Sequence, residues 1–161
     1  MSSFGLAKSL GIDNTAARNY IQRYFERYPG VQAYMQRTRE LARDQGYVET
    51  VFGRRLYLPD IRSGNGQRRA GAERAAINAP MQGTAADLIK KSMVEVQRVL
   101  DTGGHATRTI MQVHDELVFE VPEAEADWVR QEIPRIMAGV AQLRVPLLAE
   151  IGLGPNWEQA H

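Results

Sequence analysis

The chain contains no cysteine. Disulfides, thiolate metal sites and thiol nucleophiles are therefore excluded. No apolar run approaches the ~20 residues that a membrane-spanning helix needs, and the residues from Met1 onward carry no signal-peptide pattern. These absences lead to the expectation of a cytoplasmic protein with no membrane partner. Two phosphate-cradling motifs are also missing, the Walker A loop and the dinucleotide fingerprint. Ser9 and Ser92 have no base near them in sequence, which leaves no case for a serine nucleophile. His105 follows Gly103-Gly104 and reads as a loop residue, and His161 is terminal. There are no internal repeats and no low-complexity segments.

What is present is 161 residues of ordinary globular composition, one domain or a piece of one, long enough to bury a core. The net charge is only +1, but it is unevenly spread. Residues 1–110 hold 17 Lys+Arg against 10 Asp+Glu, whereas residues 111–161 hold 3 against 9. The densest basic block, Val51 to Ala75, carries Arg54, Arg55, Arg62, Arg68, Arg69 and Arg74 and no lysine. Arginine forks onto phosphate bidentately, so the block suits a polyanion. It equally suits a solvated surface in an arginine-rich, lysine-poor composition, and charge alone leaves both readings open.

Hydrophobic periodicity sets out the elements. Residues 1–12 hold a short helical turn closed by Gly11. Asp13 or Asn14 caps a helix running to about Tyr28, with Ala17, Tyr20, Ile21, Tyr24 and Phe25 as its apolar stripe and Pro29-Gly30 as its end. A helix from Val31 to about Gln45 stops at Gly46. Tyr47–Thr50 and Arg55–Leu58 form a hairpin across Phe52-Gly53, followed by a loop from Asp60 to Gly66. Gln67 to about Leu100 reads as one long helix, interrupted or kinked near Pro80. A third helical stretch covers Glu123 to about Val140, with Pro134 as a kink or break. A last strand is expected at Leu147–Ile151 and an irregular tail after it. The order gives an α+β fold, an antiparallel sheet packed on long helices.

The stretch from Ala106 to Val121 is the centre of this arrangement. It alternates with a period of two: Thr107, Thr109, Met111 and Val113 share one face, and Leu117, Phe119 and Val121 share a face on the return. Between the two runs stand His114-Asp115, the length of a tight hairpin turn but without the glycine or asparagine that makes positive φ cheap. Such a turn accepts strain, and strain of this kind gathers at functional sites. Asp115 and Glu116 are adjacent carboxylates. Hard divalent cations such as Mg²⁺ take oxygen ligands, and a pair of such ions can clamp the attacking and leaving oxygens of a phosphoryl transfer. Neighbours on a strand point to opposite faces, which favours Asp115 as the ligand and Glu116 as a helper. One ligand carboxylate is too few for a two-metal site. The competing reading is a turn that is polar because turns are wet.

On the long helix, Arg74, Asn78 and Gln82 recur at i, i+4 and i+8. Donors of this kind can meet the acceptors that every base pair presents in the DNA minor groove, and so sense pair geometry without reading sequence. The small residues Ala70, Gly71, Ala75, Ala76 and Ala79 allow close approach to another surface. An ordinary amphipathic helix with a polar solvent face carries the same pattern.

Longer motifs are more specific. Gln112-Val113-His114-Asp115-Glu116-Leu117 resembles the third polymerase motif of family A DNA polymerases, and Glu73 to Asp87 resembles the long palm helix of that family. Tyr24-Phe25-Glu26-Arg27-Tyr28-Pro29-Gly30, Gly46 to Thr50, Gly53-Arg54-Arg55 and the ending Asn156-Trp157-Glu158-Gln159-Ala160-His161 are similar, in the same order, to bacterial enzymes of the DNA polymerase I type. The resemblance covers essentially the whole chain.

The resemblance implies an α+β palm with a carboxylate-tipped hairpin and a kinked palm helix. It implies catalytic Asp115 and Glu116, Asp115 as the metal ligand, and contacts to primer-template DNA from Arg74, Asn78, Gln82, Gln112 and His114, with His114 at the primer terminus. Two Mg²⁺ ions and a deoxynucleoside triphosphate (dNTP) are the implied cofactor and substrate. Residues 1–28 would be the remainder of the fingers, and 29–161 palm and palm-associated helices to the natural C-terminus.

Two parts of the family pattern are missing from the sequence: the aspartate of an earlier strand and the nucleotide-binding fingers helix. Met1 then reads as an internal methionine and the chain as a C-terminal fragment, inactive alone and prone to self-association through uncovered apolar surface. Two other expectations stay open: a non-catalytic module, derived from a polymerase palm, that binds DNA or a partner, and a metal-dependent nuclease using Asp115 and Glu116.

Overall fold

The computed structural model describes residues 2–160; Met1 and His161, and the expectations attached to them, lie outside that range. The chain forms two compact units that divide at Pro80, and each has its own core.

The first unit opens with α1, Ser3–Leu10, and α2, Asn14–Arg27. Gly11 closes α1 in the left-handed conformation at φ 66°, as its position predicts. The Asp13 carboxylate accepts from the Thr15 and Ala16 amides and caps α2, and those bonds hold it below the usual aspartate range. α2 ends just before Pro29, as the sequence predicts, but Pro29 is itself helical. It starts the next one, α3, Pro29–Gln45, at the first-turn position where its fixed φ fits and its missing N–H costs nothing. Gly46 then turns the chain at φ 81° into the hairpin of β1, Tyr47–Glu49, and β2, Arg55–Tyr57.

Ala42, Val48, Leu58, Ile61 and Ala76 form the core of this unit, with Ala72, Ala75 and Ala79 packed against it. The alanines come from α4, Gly66–Gly103, so the small residues on this helix serve close approach to α3 and the hairpin. The Tyr34 hydroxyl donates to the Ile77 carbonyl at 3.0 Å across the same contact.

In the second unit, Val96 and Leu100 of α4 meet Val129, Ile133 and Ile136 of α5, Ala126–Ala138. α4 continues as helix through Pro80, and α5 continues through Pro134. The hairpin of β3, Arg108–Val113, and β4, Glu116–Glu120, supplies Phe119 to this core, and Val121 follows just after it. The two hairpins make separate two-stranded sheets.

The strand expected at Leu147–Ile151 is not formed. Ile151 of this short apolar run packs against the second core instead, and no strand pairs with the run among the described residues. The tail is not wholly irregular either: Trp157–Ala160 form a helical turn, α6. A Cβ at Gly152 would run into the Ala160 carbonyl, and one at Gly154 would lie 2.8 Å from the Ala160 nitrogen. Glycine is required there by close approach, not by φ.

Candidate functional site

The β3–β4 hairpin turns where the sequence places the turn, at His114-Asp115, with Val113 paired to Glu116. His114 has φ 52° and is the one non-glycine residue with positive φ among those described. Positive φ at the first central residue alone is the pattern of a type II′ turn, where glycine is preferred. The expected strain is therefore real and sits on His114. Gln112 supports it: its side-chain amide donates to the His114 carbonyl at 2.6 Å. His114 and Asp115 are exposed, and Glu116 is half-buried at the start of β4.

The alternation along β3 is not the simple one the sequence suggests. Thr109 pairs with Phe119, but Met111 pairs with Val118, so Ile110 is an extra residue in a β-bulge. The bulge reverses the phase. Thr109 and Gln112 share the face of Leu117 and Phe119, whereas Met111 and Val113 share the opposite face with Arg108. A one-residue insertion moves every later side chain to the other side, and it does so here between the core-facing base of the hairpin and its functional tip.

The base is fixed by a residue that nothing in its neighbourhood singles out. The Glu125 carboxylate accepts from the Ala106 amide at 2.8 Å, the Thr107 amide at 2.9 Å and the Thr107 hydroxyl at 2.5 Å. The Thr107 hydroxyl, then the Ala106 amide, hold Glu125 below its ordinary pKa. His105 stacks on Trp128 at 3.7 Å between centroids, with Nδ1 3.7 Å from Glu125. The loop reading of His105 holds, but the loop is anchored. Nothing in Glu123-Ala124-Glu125 marks the third residue as the anchor, because its partners lie 18 and 19 positions away.

Arg74 and Asn78 are exposed on the first unit's part of α4, one helical step apart, on the side away from the alanines that enter the core. Gln82, on the second unit's part, is exposed as well. The arginine block divides into two groups. Arg55 pairs with Glu49 at 2.8 Å and lies over the Tyr47 ring, Arg62 donates to the carbonyls of Arg43 and Asp44 at the end of α3, and Arg69 donates to the Ser63 carbonyl. The side chains of Arg68 and Arg74 are exposed and meet no carboxylate or carbonyl among the described residues. Structural need therefore accounts for at least half of the block.

Among the described residues no three His, Cys, Asp or Glu side chains come together as a metal cage. Mg²⁺ does not require one, since it keeps several waters and binds through one or two carboxylates plus substrate phosphates. The exposed Asp115 carboxylate fits as one donor of such an open site.

The model of DNA polymerase family A matches residues 1–159. The chain is 58% identical over 161 residues to a DNA polymerase I of Pseudomonas aeruginosa, covering 100% of this chain and 18% of that protein. It is 45% identical over 167 residues to a DNA polymerase I of Rhizobium leguminosarum, covering 16% of the relative. Its fold is similar to a solved POL domain of Pol1 from M. smegmatis in complex with DNA primer-template and dNTP, with a TM-score of 0.96 and 43% identity over 99% of this chain and 28% of that one. The chain thus spans less than a fifth of the length of these two relatives. With the family model matched from residue 1 to residue 159, the chain belongs to DNA polymerase family A.

Proposed function

We propose that this chain is the palm, with the last part of the fingers, of a template-directed DNA polymerase working in replication and repair in the bacterial cytoplasm. The reaction is attack of a primer 3′-oxygen on the α-phosphorus of a dNTP, with release of pyrophosphate. Residues 1–28 belong to the fingers and 29–161 to the palm. One observation carries the reading: in a chain of this family, the turn that holds Asp115 is built on a strained His114 and braced by Gln112.

In this reading Asp115 is the metal-binding carboxylate, and Glu116 assists from the start of β4. Bound Mg²⁺ would supply charge stabilisation at the attacking and leaving oxygens. The chain's own contribution is positioning. The bulge at Ile110 and the Glu125 anchor support the hairpin on which the tip stands, and in this reading His114, at φ 52°, would meet the primer end. Arg74, Asn78 and Gln82 offer donors to template and primer without selecting a sequence. Exposed Phe4, Val51 and Leu148 leave apolar surface through which the isolated chain would self-associate.

The test is Asp115→Ala in a full-length polymerase carrying this segment. Primer extension should fall by orders of magnitude while primer-template binding persists, and Arg74→Ala with Asn78→Ala should weaken binding itself. Normal extension by Asp115→Ala would remove the assignment. The 161-residue chain alone should not extend a primer.

A further inference from the structure

The helix α2 carries a second surface suited to nucleic acid, separate from the palm helix and the hairpin. Tyr20, Arg23, Tyr24 and Arg27 stand at i, i+3, i+4 and i+7, so they share one face. All four are exposed, Tyr20 by 62% and Tyr24 by 44%. Tyr28, 52% exposed at the end of the helix, extends the row, its ring 5.1 Å from that of Tyr24. Ala17, Ile21 and Phe25 form the flank beside the tyrosines, Ala17 fully buried and the other two half-buried, and Tyr20 and Tyr24, grouped with them as one apolar stripe by spacing, stand at its exposed edge.

The charge on this face is of one sign. Neither Arg23 nor Arg27 meets a carboxylate among the described residues. The one carboxylate of α2, Glu26, lies off the row and accepts from the Gln22 side chain at 2.9 Å. Flat rings alternating with uncommitted guanidiniums match the chemistry of an unpaired strand: bases stack on aromatics, and phosphates take the arginine forks. Duplex DNA hides its base faces and can use only the cations.

We infer that the Tyr20–Arg23–Tyr24–Arg27 face of α2 is a platform for single-stranded DNA. The choice of DNA rests on the polymerase reading above, in which an unpaired template strand is always present; the preference for an unpaired strand rests on the face alone.

The experiment uses the 161-residue chain and fluorescence anisotropy with three probes: a labelled oligo-dT, a blunt duplex, and a primer-template. Tyr20→Ala with Tyr24→Ala should weaken oligo-dT binding at least about tenfold and leave the duplex within about twofold. Tyr20→Phe with Tyr24→Phe, which keeps both rings, should restore it. Arg23→Gln with Arg27→Gln should flatten the salt dependence on oligo-dT. Arg74→Ala with Asn78→Ala reports separately on the palm helix, through the primer-template probe. Loss there with unchanged oligo-dT binding in the α2 variants would overturn this inference and leave the polymerase reading intact. The inference would also be overturned by no oligo-dT binding in the unsubstituted chain, by equal losses on single and double strands, or by a failure of the phenylalanine pair to rescue. Each of those results would make the face a protein contact or a solvated surface.

Discussion

Replacing His114 by glycine should make the chain more stable. At φ 52° in the first central position of a tight turn, His114 occupies backbone space that disfavours any side chain. Holding such a residue there costs about 1–3 kcal/mol. Glycine removes that cost but loses about 0.4–1 kcal/mol through the greater freedom of the unfolded chain. The net expectation is a gain of about 1 kcal/mol, which raises Tm by about 2–4 °C for a chain of this size. Gln112→Ala should act in the opposite direction. It removes the 2.6 Å bond to the His114 carbonyl, worth about 0.5–1.5 kcal/mol, and solvent at this exposed turn keeps the loss near the lower end.

The two changes test one idea when combined. If the Gln112 bond exists to hold a strained turn, it matters less once glycine has relaxed that turn. The double variant should then deviate from additivity by about 0.5 kcal/mol or more. Urea unfolding followed by tryptophan fluorescence and far-UV circular dichroism gives all four corners of the cycle, and amide exchange at Val113 and Glu116 gives the local view. A destabilised glycine variant, or strict additivity, would refute the claim that strain is stored at the tip and braced by Gln112. The gain in stability should come with lost primer extension in the full-length polymerase, because glycine removes the side chain expected at the primer end.

Three further outcomes follow from other parts of the structure. Glu125 is held below the ordinary glutamate pKa, by the Thr107 hydroxyl first and then by the Ala106 amide, so the unfolded state binds protons that the folded state does not. That contribution is complete above the unfolded pKa and is lost as pH falls through the folded one. Glu125→Gln should therefore flatten the fall in urea midpoint on acidification, and parallel pH curves would contradict the anchor. Leu100→Ala opens a cavity in the second core and should cost about 2–5 kcal/mol. Val94→Ala on the same helix, at a site 71% exposed, should change stability by less than about 0.5 kcal/mol, with denaturant melts comparing the two. Gly152→Ala puts a methyl into the Ala160 carbonyl and should release the last helical turn, read as faster proteolysis of the tail with Tm nearly unchanged.

Local signals were legible in the sequence and long-range ones were not. Gly11, Asp13, Gly46 and the His114-Asp115 turn each act through neighbours a few residues away, and each does in the structure what its chemistry predicts. Pro29 marks the end of α2 correctly, but the next helix begins at Pro29 itself and not at Val31, because proline also fits the first turn of a helix. The bulge at Ile110 is invisible in a pattern of alternating residues, since the phase of β3 is set by its pairing with β4. Leu147–Ile151 is a short apolar run that reads as a strand, but a strand also needs a partner, which the run itself does not encode.

The arginines show where this limit matters for function. Six arginines between Val51 and Ala75 make one basic block in the sequence. In the fold Arg55, Arg62 and Arg69 hold a hairpin, a helix end and a loop, while Arg68 and Arg74 remain exposed without such partners among the described residues. Arg23 and Arg27, which the sequence does not distinguish from any other helical arginines, are just as uncommitted. Guanidiniums without protein partners are the freest to fork onto a polyanion. If the proposed platform exists, the exposed guanidiniums without partners among the described residues matter most for DNA binding, and these include Arg23 and Arg27 on the face of α2 as well as Arg68 and Arg74 in the block that composition highlights.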